Sequence, residues 1–333
     1  QVGAKLLKDG VNIELTYGYD AEMLSAKLDE VAEEFNQDAI DSTVVRQNGR
    51  FVVSPEQTGL EMEKDKTAKH VAKVMETRKS GTAEIAAKVT KPKITAEDNS
   101  HVTDLIGSYY TTYTNSDRNR NNNLAVGCNY INGTVIAPGE VFSANAHLGS
   151  QTAAGGYKEA GVYVNGKVEK GMAGGVCQVT STLYNAVLLA NLEIVERTNH
   201  SFTTSYVKAG RDATVVYGVK DFQFKNNRNY PIKIEGSVGS GILTFKIHGI
   251  KEETEYEVKI VPYTTGTIPY TTQTITDASL QPGETVVEQS GHAGCKVTTY
   301  KQLWLNGTMV SNELLSNDTY NAMQTIIRVG PTN

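Results

Sequence analysis

Residues 174–186 read Gly-Gly-Val-Cys-Gln-Val-Thr-Ser-Thr-Leu-Tyr-Asn-Ala and close a glycine-rich run that starts at Gly171. Glycine has no Cβ, so the backbone there can approach other atoms closely and take dihedrals that most residues avoid. Beyond the loop, Val179, Leu183, Val187 and Ala190 recur at helical spacing. The pattern predicts a glycine loop that opens a helix, with Cys177 in its first turn. Amide N–H groups at a helix start lack intrahelical partners and carry partial positive charge. That environment lowers a thiol pKa and favours the nucleophilic thiolate. The same amides could hold the oxyanion of a tetrahedral intermediate, an interaction worth roughly 3–4 kcal/mol per donor. A glycine loop that packs a buried cysteine against a sheet fits the same spacing, so both readings stay open here.

A cysteine nucleophile needs a base. His200 follows the cysteine helix in Arg197-Thr198-Asn199-His200-Ser201-Phe202, where the chain can return toward that helix. His147 is a weaker rival. His70 falls in an N-terminal helix, His101 in a linker, and His248 and His292 near or in the C-terminal β region. A polar surface histidine is the plain alternative for His200.

Working outward, residues from about 11 to 100 read as a small α+β unit. Asp20 can cap a helix whose Leu24, Leu28, Val31 and Phe35 form one apolar stripe. Arg50–Val53 is a short predicted strand, a second helix runs from about Glu63 to Arg78, and Lys91-Pro92-Lys93 ends the unit. From about 102 to 250 the chain is rich in Gly, Asn, Thr and Tyr. Ile106–Tyr113 is a predicted strand, and Asp117 can cap a helix that carries Leu124, Cys128 and Ile131. Thr214–Tyr217 and Ile242–Phe245 look strand-like. From about 254, Tyr256, Val258 and Ile260 alternate with charged residues, and Pro282-Gly283 and Asn306-Gly307 mark turns, so this part is predicted to be all β. The expected class is α+β multidomain, with units at 1–100, 101–250 and 251–333.

The net charge of −5 argues against nucleic acid as the main partner, since phosphate binding leaves a basic footprint. The three cysteines, Cys128, Cys177 and Cys295, are odd in number and lack CxxC spacing, so neither a zinc site nor a disulfide framework is expected. Cys128 sits on an apolar stripe and reads as a core thiol; Cys295 is assigned no chemistry. No apolar run approaches the roughly 20 residues that span a bilayer, and no signal peptide is present. The start at Gln1 leads us to expect a trimmed fragment of a secreted or membrane-anchored parent. Membrane contact is expected only through an anchor missing from this fragment.

Residues from about 104 to 235 closely resemble the VanW domain. The matching pieces are Arg120-Asn121 before a helix, Asn132-Gly133, Pro138-Gly139-Glu140-Val141-Phe142-Ser143, Gly155-Gly156-Tyr157, the Gly174–Gln178 loop with Ser181–Ala186, His200-Ser201 and Gly210-Arg211-Asp212-Ala213. The N-terminal region is similar to the peptidoglycan-binding domain that often precedes VanW domains, and the last 80 or so residues resemble the G-five domain of cell-wall proteins. The resemblance implies extracellular work on a Gram-positive cell wall, on peptidoglycan stem peptides and glycan. Some VanW domains act as L,D-transpeptidases with a cysteine nucleophile; carried over by motif, the nucleophile is Cys177 and its partner His200. Asp212 either orients His200 or is a surface turn residue. Gly174, Gly175, Gln178 and Ser181 are expected at the substrate, although Gln178 and Ser181 may instead cap the helix. Arg120 either pairs with a substrate carboxylate, which a guanidinium binds bidentately, or forms a structural salt bridge. In the expected reaction Cys177 attacks the carbonyl of the third stem residue, D-Ala leaves, and an amine from a second stem takes the acyl group; no metal or organic cofactor is needed. The rivals are a cysteine peptidase (L,D-carboxypeptidase) that passes the same group to water, and a non-catalytic wall-binding scaffold. The flanking units are expected to hold the enzyme on the wall and take no part in chemistry.

Overall fold

The structure is a computed structural model that describes residues 18–47, 50–164 and 167–331. Residues 1–17, at the head of the expected N-terminal unit, lie outside the described residues. The first elements are α1 (Ala21–Phe35), β1 (Val44–Gln47), β2 (Arg50–Val53), β3 (Gly59–Met62), α2 (Lys64–Glu76) and β4 (Ala87–Thr90). Then come α3 (Ala96–Ser100), β5 (Asp104–Thr112), α4 (Arg118–Ile131), β6 (Val135–Ile136), β7 (Val141–Ser143), α5 (Ala144–Leu148), β8 (Glu159–Val164), β9 (Lys167–Met172) and α6 (Val176–Leu189). The rest is β: β10 (Glu193–Glu196), β11 (Gln223–Lys225), β12 (Ile232–Gly239), β13 (Ile242–Gly249), β14 (Glu257–Ile268), β15 (Thr272–Thr276), β16 (Thr285–Gln289), β17 (Gly294–Leu305), β18 (Thr308–Tyr320) and β19 (Thr325–Val329). The class is α+β multidomain, as expected, with an all-β C-terminal part. No helix among the described residues is long and apolar enough to cross a membrane.

Among the described residues the chain divides into two compact units, one of residues 18–42 with 55–95 and one of residues 43–54 with 96–331. In the first, Asp20 caps α1 by accepting from the amides of Glu22 and Met23, and Leu28, Ala32 and Met62 form a small core. The Arg50–Val53 strand, read from the sequence with the N-terminal unit, groups with the second unit. There it pairs with β1, and Phe51 stands edge-on to the His248 ring, with 5.1 Å between centroids.

The second unit is organised around α6, which is buried on every side from Val176 to Leu188 apart from partly exposed Cys177. A helix surrounded by protein can be apolar all round. On one face lies the antiparallel sheet β5-β13-β12-β6. Gly107 of β5 makes that approach possible, because a Cβ there would stand 2.5 Å from the Ala186 carbonyl oxygen and 2.7 Å from the Ala190 nitrogen. Helix α4, capped by Asp117, contributes Leu124, Cys128 and Ile131, and Val258 and Ile260 of β14 join the same core. The sheet β14-β17-β18 thus joins the unit without a break in the hydrophobic interior. Thr214–Tyr217 is not a strand; it is irregular backbone with one bridge between Val216 and Lys220. Its neighbour Ala213 finds partners in the hydroxyls of α6, so no ladder is needed there.

Candidate functional site

The loop before α6 doubles back sharply. Ala173 and Gly175 both have left-handed backbones, with φ of 59° and 112°. For alanine such a conformation costs roughly 1–2 kcal/mol, and strain of this kind concentrates at functional sites. Gly174 lies between them, and a Cβ there would come within 2.6 Å of the Gly161 carbonyl oxygen. The Asn123 amide clamps the loop by donating to the carbonyls of Lys158 (2.8 Å) and Gly174 (3.0 Å). Gly174 and Gly175 therefore shape the turn that brings Cys177 to the helix start. The amides of Val176 and Gln178 donate to the carbonyls of Ala173 and Gly175. The Cys177 amide has no acceptor among the described residues, so a free helix-start donor lies beside the sulfur.

Cys177 Sγ stands 3.6 Å from the Val215 carbonyl oxygen, and the thiol is electrostatically coupled to the His200 side chain. His200 Nδ1 meets Asp212 Oδ2 at 2.5 Å, and the same oxygen accepts from the His200 backbone amide at 2.6 Å. With Nδ1 engaged by a carboxylate, Nε2 is left for the thiol. Asp212 is 1% exposed, so the surface-turn reading does not hold. Its second oxygen, Oδ1, accepts from Arg197 Nη2 at 3.1 Å and from the Tyr320 hydroxyl at 2.5 Å. Arg197 in turn reaches Asp318 at 2.5 Å. Cys177, His200, Asp212, Arg197 and Asp318 form a chain in which the sign of charge alternates.

These contacts set the protonation states. Burial opposes the thiolate, but the hydrogen bond and charge of His200 outweigh it and hold the Cys177 pKa below the ordinary thiol value. Burial likewise opposes the imidazolium, yet hydrogen bonds to Asp212 and Cys177 lift His200 to about 9. Burial disfavours ionised Asp212 as well, and the His200 hydrogen bond, with Arg197 and Tyr320, brings its pKa below the usual carboxylate value. These directions favour a thiolate–imidazolium pair braced by a carboxylate. Cys128 contrasts with it: buried in the apolar core, its thiol is pushed up to about 12.

Gln178 and Ser181, expected at the substrate, are 1% and 0% exposed. Gln178 Nε2 donates to Thr111 Oγ1 (3.0 Å) and the Thr112 carbonyl (2.9 Å), while its Oε1 accepts from Arg120 Nη2 at 2.6 Å. Ser181 accepts from the Ala213 amide at 2.9 Å. Neither touches solvent, and neither caps the helix, whose N-cap is Gly175. Both stitch α6 to its surroundings: Thr180 also donates to the Ala213 carbonyl, and Asn185 exchanges hydrogen bonds with Arg211. This lattice fixes Asp212 between Arg211 and Ala213. Arg120, within the first turn of α4, is partly exposed, and no carboxylate pairs with it among the described residues. Sequence reading missed Tyr206, whose hydroxyl lies 3.4 Å from His200 Nε2, as well as Arg197, Asp318 and Tyr320. The asparagines near Asn121 and the glycines near Gly155 are joined in part to each other: Asn122 donates to the Gly156 carbonyl at 2.8 Å.

A family profile described as "VanW like protein" matches residues 119–248, one described as "G5 domain" matches 252–332, and one described as "Putative peptidoglycan binding domain" matches 3–84. The chain is 42% identical over 156 residues to the uncharacterized protein YoaR of Bacillus subtilis (strain 168), covering 46% of this chain and 52% of YoaR. It is 30% identical over 121 residues to the Vancomycin B-type resistance protein VanW of Enterococcus faecalis (strain ATCC 700802 / V583), covering 34% of this chain and 42% of that protein. The chain spans about half the length of these curated relatives. Among solved structures, the IgA1 protease G5 domain aligns with 25% of this chain and 100% of its own at 23% identity, with a TM-score of 0.18.

Proposed function

From a chain that belongs to the VanW-domain proteins, with a peptidoglycan-binding domain before the VanW domain and a G5 domain after it, and so is cell-wall associated, we propose a cysteine acyltransferase that cross-links peptidoglycan stem peptides as an L,D-transpeptidase. The observation that carries this reading is the His200–Asp212 hydrogen bond, with its imidazole coupled to the Cys177 thiol at the start of a buried helix. The Cys177 thiolate adds to the carbonyl carbon of the third stem residue, with the Cys177 amide beside the developing oxyanion. The carbon–nitrogen bond to D-Ala then breaks, and the His200 imidazolium protonates the departing amine, which leaves a thioester. An amine from a second stem adds to the thioester, His200 takes its proton, and the carbon–sulfur bond breaks to restore the thiolate. Asp212 keeps the imidazole oriented throughout. Arg120, a partly exposed cation held by Gln178 and lacking a carboxylate partner among the described residues, suits the terminal carboxylate of the donor stem.

The test is a tetrapeptide donor stem incubated with excess acceptor stem, followed by mass spectrometry of protein and products. A thioester on Cys177, released D-Ala and a cross-linked dimer are expected. Tripeptide alone at every acceptor concentration would make water the acceptor and the protein a carboxypeptidase. No turnover of either kind would leave a wall-binding scaffold.

A further inference from the structure

The C-terminal β region reaches into the centre just described. Tyr320, the last residue of β18, is fully buried. Its hydroxyl donates to Asp212 Oδ1 at 2.5 Å and accepts from the Gly210 amide at 2.6 Å. Two residues earlier on the same strand, Asp318 accepts from Arg197 Nη1 at 2.5 Å, and Arg197 also donates to Asp212, from Nη2 to its carboxylate and from Nε to its backbone carbonyl. The backbone is engaged too: Asn199 donates to the Thr319 carbonyl at 3.0 Å, and the Asn321 amide donates to the Ser201 carbonyl at 2.7 Å. His200 is bracketed by these two contacts.

Gly210 records the same docking. It has φ of 86°, and a Cβ there would lie 2.3 Å from Thr299 Oγ1, 3.0 Å from Val297 Cγ1 and 3.3 Å from Pro262 Cβ, all of them on β14 or β17. The glycine before Arg211-Asp212 is needed because a strand of the β module presses against it.

We propose that Tyr320, supplied by the G5 domain, is a positioning residue of the Cys177–His200–Asp212 centre, and that this centre is complete only with the G5 sheet docked against the loop of residues 197–213. The module thus does more than hold the wall. Four donors on Asp212 fix both its oxygens: the His200 ring and amide on one, Arg197 and Tyr320 on the other. Without the Tyr320 hydroxyl the carboxylate can turn, the Gly210 amide loses its acceptor, and the imidazole is no longer held toward the sulfur. The inference rests on Cys177 as the nucleophile and is independent of the substrate.

The experiment uses the full chain and no stem peptide. Iodoacetamide alkylation of Cys177 is followed across pH by peptide mass spectrometry, for wild type, Tyr320→Phe and Asp318→Asn, with thermal melting in parallel. Leu314→Ser, on an exposed position of β18, is the control and should match wild type. Phenylalanine keeps the buried ring, so Tyr320→Phe is expected to fold. At pH 6 its alkylation should fall about tenfold, the change given by moving the thiolate midpoint up about one pH unit, and Asp318→Asn should move the same way. A Tyr320→Phe profile that superimposes on wild type, whatever its melting temperature, would overturn the proposal. Faster alkylation would also overturn it, since the hydroxyl would then only be drawing charge from Asp212. If Tyr320→Phe gives no folded protein, Asp318→Asn decides by the same criteria. A wild-type profile in the ordinary thiol range would remove the nucleophile reading as well, whereas failure of the transpeptidation assay alone leaves this proposal standing.

Discussion

Arg120 Nη2 donates to Gln178 Oε1 across 2.6 Å, which ties a partly exposed guanidinium to a side chain sealed inside the cysteine helix. Gln178 is itself fixed by Thr111 and Thr112 of β5. The cation is therefore pre-set beside the glycine loop, where a Cβ on Gly175 would meet its Nη1 at 3.1 Å. If it receives the donor carboxylate, Arg120→Lys should raise KM for a tetrapeptide stem by about 10- to 100-fold, as expected for a lost charged hydrogen bond. Cys177 alkylation should not change. An unchanged KM removes Arg120 from the substrate.

Cys177 and Cys128 are separated by their environments, one thiol lowered by His200 and the other raised by apolar burial. Cys177→Ala should lower turnover by on the order of 10³-fold or more and leave the melting temperature near that of wild type. Cys128→Ala should keep turnover and lose stability, since it opens a small void in the core. Steady-state rates and thermal melts on both variants check this, and turnover retained in Cys177→Ala would end the acyl-enzyme scheme.

Asp212→Asn keeps the volume but removes the charge and one of the two acceptor oxygens that hold the His200 ring, Arg197 and Tyr320. In a comparable triad the same change costs about 10⁴-fold. We expect a fall of about 10²- to 10⁴-fold in kcat, with loss of stability as well, because Arg197 would keep only Asp318 as its charged partner. A kcat within a few-fold of wild type would make Asp212 purely structural.

The close approach of α6 to β5 at Gly107 gives a prediction confined to stability. An added methyl would sit 2.5 Å from the Ala186 carbonyl oxygen, and both neighbours are backbone. Gly107→Ala should cost about 1–3 kcal/mol, the usual range for overpacking, read as a lower midpoint in denaturant. No change in midpoint would mean the helix can move away from the sheet.

Much of this was legible in the chain itself, for local reasons. The caps at Asp20 and Asp117, the helix after the glycine loop and the alternation of Val258 and Ile260 are short-range patterns, and each forms as read. The support of the site was not legible because its partners are distant in sequence: 108 residues separate Asp212 from Tyr320, and 121 separate Arg197 from Asp318. Gln178 and Ser181 misled because polar residues on a predicted helix suggest a surface, whereas these are spent inside on the backbone of Ala213 and on Thr111. Thr214–Tyr217 misled because β-branched residues suggest a strand even where side chains supply the partners. Gly210, two residues before Asp212, was the one local signal that something would press on the loop.

The protonation states give the pH profile a definite shape. Cys177 is lowered, so the thiolate persists below the ordinary thiol range and is lost only as pH falls through that lowered value. His200 is raised to about 9, so the imidazolium that must protonate the departing amine is present below that pH and lost above it. Both shifts favour transfer of the thiol proton to the imidazole before attack. Acylation should therefore rise on the acid side as the thiolate forms and decline near pH 9. His200→Ala should move the acid limb up toward the free-thiol value of about 8.5 and abolish the alkaline decline, because the group that titrates there is gone. Single-turnover acylation by a stem peptide, measured from pH 4 to 10, gives both limbs. A decline that survives in His200→Ala would assign the alkaline limb to another group and break the ion-pair account.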